Sequence, residues 1–533
     1  MDSSNQEGEG KKKITEVKTY PVQFPLGEIK ENITMNTNTS SKPSKEQIMN
    51  QAFKFHSEGN ISEAKKYYQS FINQGFSNEK VFANYGIILQ DLGHLKKAEL
   101  WTRKAIQLNP DFSNAHLNLG NILIDLYQLE EAELSTRKAI QLNPVSAVAH
   151  SNLGTILKNL GKLEEAELST RKAIEIKPDY AMAHSNLGII LSDLGKLKEA
   201  ELSTLKAIEI NPDDADSYFN LSSIELLKGN YESGLKYFEF RFKADKSFST
   251  HGKANIKKVE NEKLTKGEKL LVISEQGLGD TLQYMRYIPY LRSQGIDVAF
   301  SAQEKLHTLI QASGIDENPL TPEQANTVSE GKWIPLLSLP RTLQISPKNP
   351  IISEPYIHST DKLNQKWKNI LSKERQPIIG INWQGSQAME RSFYQGRSIP
   401  LETFSTLARN SNFNFLSLQK GFGSEQLDHC SFKNKFVQCQ PQINSSWDFL
   451  ENAAIIDNCD LIITCDTAIA HLAGGIGKKV WLLLRDIPFW TWGLGGETTF
   501  WYPSMRLFRQ KERHNWHEVM DRVSNQLSVE ILK

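Results

Sequence analysis

The chain has 533 residues, and its 62 basic and 62 acidic side chains give a formal net charge of zero. A chain of this length is expected to hold about three domains. The balanced charge argues against nucleic acid or a membrane surface as a partner, because either usually requires a basic excess. Four cysteines without metal-ligand spacing predict a reducing cytoplasm and no metal site. The composition also predicts no secretory signal and no transmembrane segment.

The first half of the chain is a repeat. Residues 1–44 are polar and non-periodic, which predicts a disordered leader. From there, small residues and proline recur every 34 positions: Gly86, Gly120, Gly154 and Gly188; Ala98, Ala132, Ala166 and Ala200; Pro110, Pro144, Pro178 and Pro212. A small residue in each of two helices and a proline at the turn form the tetratricopeptide pattern. Residues 45–246 are therefore predicted to be an α-solenoid of about six repeats, the first and last of them degenerate.

Asparagine recurs at the same period, two residues before the small residue of each first helix. The series is Asn84, Asn118, Asn152, Asn186 and Asn220. An asparagine amide both donates to and accepts from a peptide bond, so this ladder predicts a groove for an extended protein segment. It resembles the asparagine ladder in the repeat arm of O-linked N-acetylglucosamine transferases. A solvated concave face and hydrogen bonds between neighbouring helices are the alternative interpretations.

The second half changes period. Residues 247–267 are interpreted as a Lys-rich linker, after which short apolar runs alternate with helical segments. Strands are predicted at residues 270–273, 297–301, 378–383, 413–418, 436–439, 461–464 and 480–484. This alternation predicts parallel sheets covered on both faces. We expect two doubly wound α/β lobes, over residues 268–375 and over residues 376–533, the second closed by a C-terminal helix.

A glycine-rich turn follows the first predicted strand of the first lobe. It contains Gly277 and Gly279, too few glycines for a dinucleotide fingerprint, and it presents the carboxylate of Asp280. Ligands of doubly wound sheets bind beyond the carboxyl ends of the strands, so the turn is predicted to border a cleft between the lobes. Arg286 follows on the next helix, where a surface ion pair is the structural alternative.

A second turn, in the other lobe, joins a buried strand directly to a helix. It contains Asp466, Thr467 and His471. Free amides and the positive end of a helix favour an anion there, above all a phosphate. The structural alternatives are that Asp466 is the helix N-cap and that His471 is a satisfied core histidine.

Several fragments, in this order and spacing, resemble glycosyltransferase family 9, the heptosyltransferase-like group with the GT-B fold, over about residues 215–520. They are residues 231–235, 240–242, 275–283 with 286–287, 335–340, 380–385, 397–400, 466–468 with 471–474, 501–503 and 506–510. The whole chain thus resembles tetratricopeptide repeats fused to such a domain. Gly385-Ser386-Gln387 and His514-Asn515-Trp516 depart from the Gly-Asn-Pro and Gly-Asp-Trp stretches that members often carry.

This resemblance implies an inverting, metal-independent transfer of a sugar from a nucleotide-diphosphate donor to an acceptor hydroxyl. The donor is a co-substrate, and no further cofactor is implied. The general base falls on Asp280. Donor-binding positions fall on Arg397, Ser398, Gln419, Asp466, Thr467, Ala468 and His471, with Arg391 and Lys420 as alternative cations for the leaving group.

Three functions are carried forward. The preferred one is a cytoplasmic glycosyltransferase whose repeat arm binds a protein partner or substrate. The second is an enzyme like the protein O-linked N-acetylglucosamine transferases, although their Gly-His-Thr-Thr donor turn is not found in this sequence. The third is a non-catalytic scaffold with a degenerate GT-B domain. Sugar, base, acceptor and association through the repeats stay open.

Overall fold

A computed structural model describes residues 43–244, 248–260, 262–351, 354–387, 390, 396–409 and 413–530. Within these ranges one compact unit ends at Asp213 and another begins at Asp214. This division lies about one repeat before the boundary at residue 246 that the sequence suggested. The leader predicted over residues 1–44 lies outside the described residues except for its last two.

The first unit is built of helix pairs, as the repeat period predicts. The helices are α1 (Lys45–Ser57), α2 (Ile61–Asn73), α3 (Glu79–Asp91), α4 (Leu95–Leu108), α5 (Ser113–Asp125), α6 (Leu129–Leu142), α7 (Ala147–Asn159), α8 (Leu163–Ile176), α9 (Ala181–Asp193) and α10 (Leu197–Ile210). Glycine is required where paired helices meet. A Cβ on Gly154 would lie 2.0 Å from Thr170 Oγ1, and one on Gly120 would lie 2.3 Å from Thr136 Oγ1.

Ion pairs join the second helices of four consecutive repeats, α4, α6, α8 and α10. Arg103 contacts Glu131 at 2.6 Å, and Arg137 contacts Glu165 at 2.8 Å. Arg171 contacts Glu199 at 2.8 Å in the same way. These partners stand 28 residues apart each time, so one contact is repeated at successive joints.

The second unit begins with helices α11 (Ala215–Leu227) and α12 (Tyr231–Phe238), and a 3₁₀ turn over Glu239–Phe242 follows them. Its first sheet has strands β1 (Lys257–Lys258), β2 (Lys269–Ile273), β3 (Asp297–Ser301) and β4 (Lys332–Pro335) in the order β1-β4-β2-β3. All three pairings are parallel. The segment predicted as a linker thus supplies an edge strand, and β4 was not predicted.

The second sheet has strands β5 (Ile378–Asn382), β6 (Asn414–Ser417), β7 (Leu461–Cys465), β8 (Val480–Leu484) and β9 (Met505–Arg509) in the order β6-β5-β7-β8-β9. Its pairings are also parallel. The strand predicted at residues 436–439 is wrong: only Phe436 forms a bridge, to Phe415, before the chain turns into a helix. The prediction of two parallel α/β sheets is confirmed.

Helices cover both sheets. They are α13 (Leu278–Tyr284), α14 (Tyr287–Ser293), α15 (His307–Ala312), α16 (Pro322–Ala325), α17 (Leu339–Thr342), α18 (Asp361–Leu371), α19 (Ser405–Ala408), α20 (Gln440–Asn444), α21 (Phe449–Asp457), α22 (Ala468–Ile476) and α23 (Trp516–Glu530). The segment after the glycine-rich turn forms two short helices, α13 and α14. The C-terminal helix packs Trp516, Val519 and Val523 into the core of the second sheet. In the described ranges, no helix is long and apolar enough to cross a membrane.

Candidate functional site

The glycine-rich turn lies directly against the turn of the other sheet. Strand β2 ends at Ile273, Gln276 adopts a left-handed conformation with φ of 60°, and α13 begins at Leu278. A Cβ on Gly279 would lie 3.4 Å from the Cα of Ala468 and 3.2 Å from Cδ2 of His471. The sequence predicts that the two turns face each other across a cleft, whereas the structure brings them into direct contact at Gly279, whose missing side chain permits the close approach.

Asp280 occupies the first turn of α13 and is partly exposed. Its Oδ2 accepts a hydrogen bond of 2.9 Å from the Gly277 N–H, which fixes the side chain over the turn. Desolvation by the surrounding protein raises the pKa of Asp280 to about 7, and the carboxylates of Glu275 and Asp466 add to this rise. A carboxylate with a pKa near neutrality suits general acid or base chemistry.

The second turn differs in one respect from the sequence interpretation. Thr467, not Asp466, is the N-cap of α22, and it makes no side-chain cap hydrogen bond. Its hydroxyl instead donates to Asn382 Oδ1 at 2.8 Å. The N-cap alternative for Asp466 is therefore wrong, because the helix begins one residue later. The first-turn amides of α22 have no side-chain cap, which leaves the helix end suited to an anion.

Arg397 contacts this turn through the backbone. Its NH1 donates to the Asp466 carbonyl at 3.0 Å, and its Nε donates to Glu390 Oε2 at 3.3 Å. A Cβ on Gly385 would lie 2.4 Å from Arg397 NH2, so glycine is needed there to admit the guanidinium. Desolvation raises the pKa of Asp466, and Arg397 opposes this rise. Arg397 thus lies beside the turn, and its predicted role toward a leaving group stays a prediction.

His471 is neutral and buried. Burial lowers the pKa of His471 to about 3, and the positive charge of Arg286 contributes to this shift. Its Nδ1 lies 2.9 Å from the Tyr502 hydroxyl, and its ring stacks on Trp492 with centroids 5.4 Å apart. His471 is only 8% exposed and its hydrogen bond is satisfied, as the structural alternative states, and its Cδ2 lies against Gly279. Its predicted contact with a donor stays a prediction.

The hydrogen bonds around His471 indicate which ring nitrogen carries its proton. The Tyr356 hydroxyl donates to the Leu282 carbonyl at 2.7 Å, and the Arg286 guanidinium hydrogen-bonds the Tyr502 hydroxyl. The Tyr502 hydroxyl lies 2.9 Å from His471 Nδ1 and 3.5 Å from the Tyr356 hydroxyl, so we assign its proton to the shorter contact, in which Nδ1 accepts. The Nε2 atom then carries the ring proton and is a donor on the edge that faces the glycine-rich turn.

Arg286 is not the surface ion-pair residue that the structural alternative envisaged, because only 1% of it is exposed. Its NH1 donates to the Trp501 carbonyl at 2.6 Å, and its guanidinium packs 4.6 Å from the Tyr356 ring and 4.5 Å from the Tyr502 ring. It therefore links the start of α14 to the segment between β8 and β9.

Gln419 and Ser398 have mainly structural contacts. Gln419 Oε1 accepts from Asn382 Nδ2 at 2.7 Å, its Nε2 donates to the Phe422 carbonyl at 2.8 Å, and the side chain is 4% exposed. The Ser398 hydroxyl donates to Glu390 Oε2 at 2.8 Å. Both support the walls of the site. Their predicted contact with a donor stays a prediction.

Lys420 borders a cavity of about 300 Å³ beyond the end of β6. Burial lowers the pKa of Lys420 to about 8, and its ammonium donates to the Ile443 carbonyl. Gln419, Asn444 and Trp447 line the same cavity. The other alternative cation, Arg391, lies outside the described residues.

A buried ion pair behind the glycine-rich turn was not identified as a contact from the sequence. Arg241, in the 3₁₀ turn after α12, donates from Nε to Glu275 Oε2 at 2.9 Å and from NH2 to Glu275 Oε1 at 2.8 Å. Both side chains are fully buried. The signal was present, since residues 240–242 and 275–283 are both among the fragments of the resemblance. Their proximity in the fold was not readable from their spacing.

The asparagine series is buried between helices. Asn152 Nδ2 donates to Asn121 Oδ1 at 2.8 Å, and Asn186 Nδ2 donates to Ser151 Oγ at 3.1 Å. The exposed fraction is 4% for Asn84, 0% for Asn118 and 7% for Asn220. Hydrogen bonding between neighbouring helices, one of the alternative interpretations, thus describes Asn152 and Asn186. A peptide groove stays a prediction.

The family models that match this chain lie in the repeat region. The family described as the cilia and flagella-associated protein 70 middle TPR-like domain matches residues 50–157. Families described as tetratricopeptide repeat match residues 147–180, 183–214 and 204–236. Protein FlbA of Caulobacter vibrioides is 24% identical over 286 residues, which are 49% of this chain and 46% of FlbA. The chain thus spans about half the length of this curated relative.

Solved structures similar to part of the chain are also repeat proteins. YrrB, described as a TPR protein with an unusual peptide-binding site, is 22% identical with a TM-score of 0.27, covering 32% of this chain and 89% of YrrB. TTC0263 of Thermus thermophilus is 20% identical with a TM-score of 0.31, covering 34% of this chain and 100% of TTC0263. The family matches show that residues 50–236 consist of tetratricopeptide repeats, a protein-interaction array.

Proposed function

We propose that the α/β part of the chain is an inverting, metal-independent glycosyltransferase of the GT-B type that uses a nucleotide-diphosphate sugar. The observation that carries this proposal is the meeting of two turns at the carboxyl ends of two parallel sheets, with Gly279 in contact with Ala468 and His471. Ligands of open α/β sheets bind at such edges. The family 9 resemblance supplies the class of reaction, and the geometry supports the division of roles between the two turns.

Asp280 is the proposed base. The acceptor hydroxyl oxygen forms a bond to the anomeric carbon, while the bond from that carbon to the diphosphate oxygen breaks. Asp280 takes the hydroxyl proton, and the nucleoside diphosphate leaves with the bonding electron pair. A single displacement inverts the anomeric configuration. The raised pKa of Asp280, about 7, lets the carboxylate accept a proton in the neutral pH range.

The second turn is the proposed site of the leaving group. The amides at the start of α22 and the Nε2–H of His471 are donors for diphosphate oxygens, and Arg397 supplies positive charge beside them. Asn382 connects this turn to Gln419, and the cavity bordered by Gln419 and Lys420 is the proposed place of the nucleoside.

A donor screen tests the proposal. Nucleoside diphosphates and nucleotide sugars are added to the intact chain, and the melting temperature and nucleotide release are measured. One donor should raise the melting temperature of the wild type and of Asp280→Asn equally. Nucleotide release should fall in Asp280→Asn by about a hundredfold or more, as expected for loss of a general base. If no donor stabilises the wild type, the proposal is wrong.

The same screen decides between the alternatives. A donor that stabilises both proteins without release from either, across protein, glycan and lipid acceptors, would favour the non-catalytic scaffold. Transfer to a protein hydroxyl would favour an enzyme like the O-linked N-acetylglucosamine transferases. In each case we propose that the repeats bind a protein, which is either the acceptor or an assembly partner.

A further inference from the structure

We propose that Arg241 is a positioning residue for the Asp280 turn, which it holds through its bidentate ion pair with Glu275. The inference rests on the proposed function for its meaning in catalysis. The contacts that carry it are independent of any donor.

The pair is rigid on both sides. The Arg241 guanidinium packs between the rings of Phe238 at 4.5 Å and Phe242 at 4.2 Å. Its NH2 also donates to Ser338 Oγ at 2.9 Å, and its NH1 donates to the Phe238 carbonyl at 3.1 Å. A guanidinium with this many fixed contacts has little rotational freedom left. The carboxylate that it holds is therefore fixed too.

Glu275 transmits this constraint to the turn. Its Oε1 also accepts from the Leu337 N–H at 3.1 Å, and the next residue is Gln276, with its left-handed φ of 60°. Such a backbone conformation persists where neighbouring contacts enforce it. Gly277 follows at once, and its N–H orients the Asp280 carboxylate. Arg241 is thus linked to Asp280 by two hydrogen-bonded contacts and two peptide units.

The ion pair of Arg241 and Glu275 also affects the pKa of Asp280. In the described part of the chain, Asp280 interacts electrostatically with Glu275 just after β2, with Asp466 from the second turn and with Tyr284 on α13, while His471 lies against the neighbouring Gly279. Glu275 raises the pKa of Asp280, and Arg241 compensates the charge of Glu275. Losing the negative charge at Glu275 should therefore lower the pKa of Asp280. Losing the positive charge at Arg241 should raise it.

The test separates charge from geometry. Glu275→Gln keeps a hydrogen-bonding group but removes the charge, and Arg241→Lys keeps the charge but removes the planar fork. Arg292→Lys is the matched control, since Arg292 also pairs with a carboxylate in this lobe, Asp316, at 2.5 Å. Each substitution is made both in the wild-type background and in the Asp280→Asn background. Unfolding of the intact chains is then measured from about pH 4 to 8.

Because the folded pKa of Asp280 is raised, its stabilising contribution is complete below its unfolded pKa, about 3.9, and is lost as pH rises through about 7. The difference in unfolding free energy between the wild-type and Asp280→Asn backgrounds isolates the pH-dependent contribution of Asp280. We call the loss of this contribution with rising pH the Asp280 step. Glu275→Gln should move the end of the step to lower pH by on the order of one unit. Arg292→Lys should leave it in place.

Arg241→Lys should lower kcat at least about tenfold with a nearly constant donor KM, because a displaced base costs rate and not donor binding. An unmoved Asp280 step in Glu275→Gln, or a kcat in Arg241→Lys equal to that of Arg292→Lys, would overturn the inference. A shifted step without any transfer activity would instead sink the proposed function and leave the charge coupling intact.

Discussion

Asn382 is the residue through which the walls of the candidate site are connected. It accepts from the Thr467 hydroxyl and donates to Gln419, while Arg397 and His471 have their own supports in Glu390 and Tyr502. The residues proposed to touch a ligand are thus held by residues that do not. Such supports decide geometry to within fractions of an ångström.

The tautomer of His471 is a first prediction at this scale. In the wild type, ¹⁵N chemical shifts should report a neutral ring protonated on Nε2 from about pH 5 to 8. Tyr502→Phe removes the donor to Nδ1, so both tautomers should appear, and donor affinity should fall about fivefold, the value of one hydrogen bond. Tyr290→Phe, on α14, is the control. A single unchanged tautomer in Tyr502→Phe contradicts the assignment.

A second prediction concerns the glycine that admits Arg397. Gly385→Ala places a methyl group where the guanidinium now lies, at 2.4 Å from NH2, and the flexible side chain must move away. We expect donor affinity to fall about tenfold through loss of the cation, with a change in unfolding free energy below about 1 kcal/mol. Gly495→Ala is the matched control, because nothing lies within 4 Å of its Cβ position. Equal donor affinity in both variants would refute this role.

Part of this site could be predicted from the sequence. Asp280, Asp466, Thr467 and His471 stand at strand-to-helix turns, which have a local signature. The N-cap was misplaced by one residue because Asp and Thr are both good N-caps, so the pair does not say which of them begins the helix. Tyr502 and Arg241 gain their roles from residues far away in sequence, which no local pattern records.

At the scale of elements, the repeats were the easier part to predict. Each glycine of the period faces a threonine of the paired helix, so sequence and packing repeat together. The short strands were harder. Strand β1 has two lysines and no apolar residue, and β4 ends at Pro335, so neither resembles a buried strand. Phe436 packs against Phe415 and Phe432 as a strand residue would, but outside the sheet.

The contact between Gly154 and Thr170 predicts that Gly154→Ala has different effects on stability in two backgrounds. Gly154→Ala gains helix propensity of about 0.5–1 kcal/mol but overpacks Thr170 Oγ1, which costs about 1–3 kcal/mol. We expect net destabilisation by chemical denaturation. In a Thr170→Ala background the clash is largely removed, so the same substitution should be neutral or stabilising. Destabilisation of equal size in both backgrounds would show that Thr170 does not limit the approach.

At the scale of the whole molecule, the division at Asp214 assigns α11 and α12 to the same compact unit as the sheets. Phe219, Leu226, Leu235 and Phe238 belong to one apolar core with residues of the first sheet, such as Val272. The sequence placed these helices with the repeats because they follow the repeat period. The repeat period reflects only the local packing of paired helices. Which compact unit a helix belongs to depends on the surfaces that are buried together.

A truncation pair tests this division. A chain that begins at Asp214 keeps Arg241 and the four core residues, and it should unfold cooperatively. A chain that begins at Lys243 leaves Glu275 buried without its cation, which alone costs about 3–5 kcal/mol, and we expect it to lack a cooperative transition. Glu275→Gln should restore part of the lost stability in the shorter chain only. Equal stability of the two truncated chains would place the boundary after α12.

The repeated ion pairs of the first unit have a consequence for variation in length. Because Arg103 meets Glu131 as Arg137 meets Glu165 and Arg171 meets Glu199, removing or duplicating the repeat α5–α6 or the repeat α7–α8 leaves every one of these arginines facing a glutamate. Such a change breaks no joint and creates no unmatched surface. A chain that lacks or duplicates one of these two inner repeats should therefore keep its ion pairs at each joint. The segment from Asp214 onward, tied to the sheets by Arg241, has no such freedom.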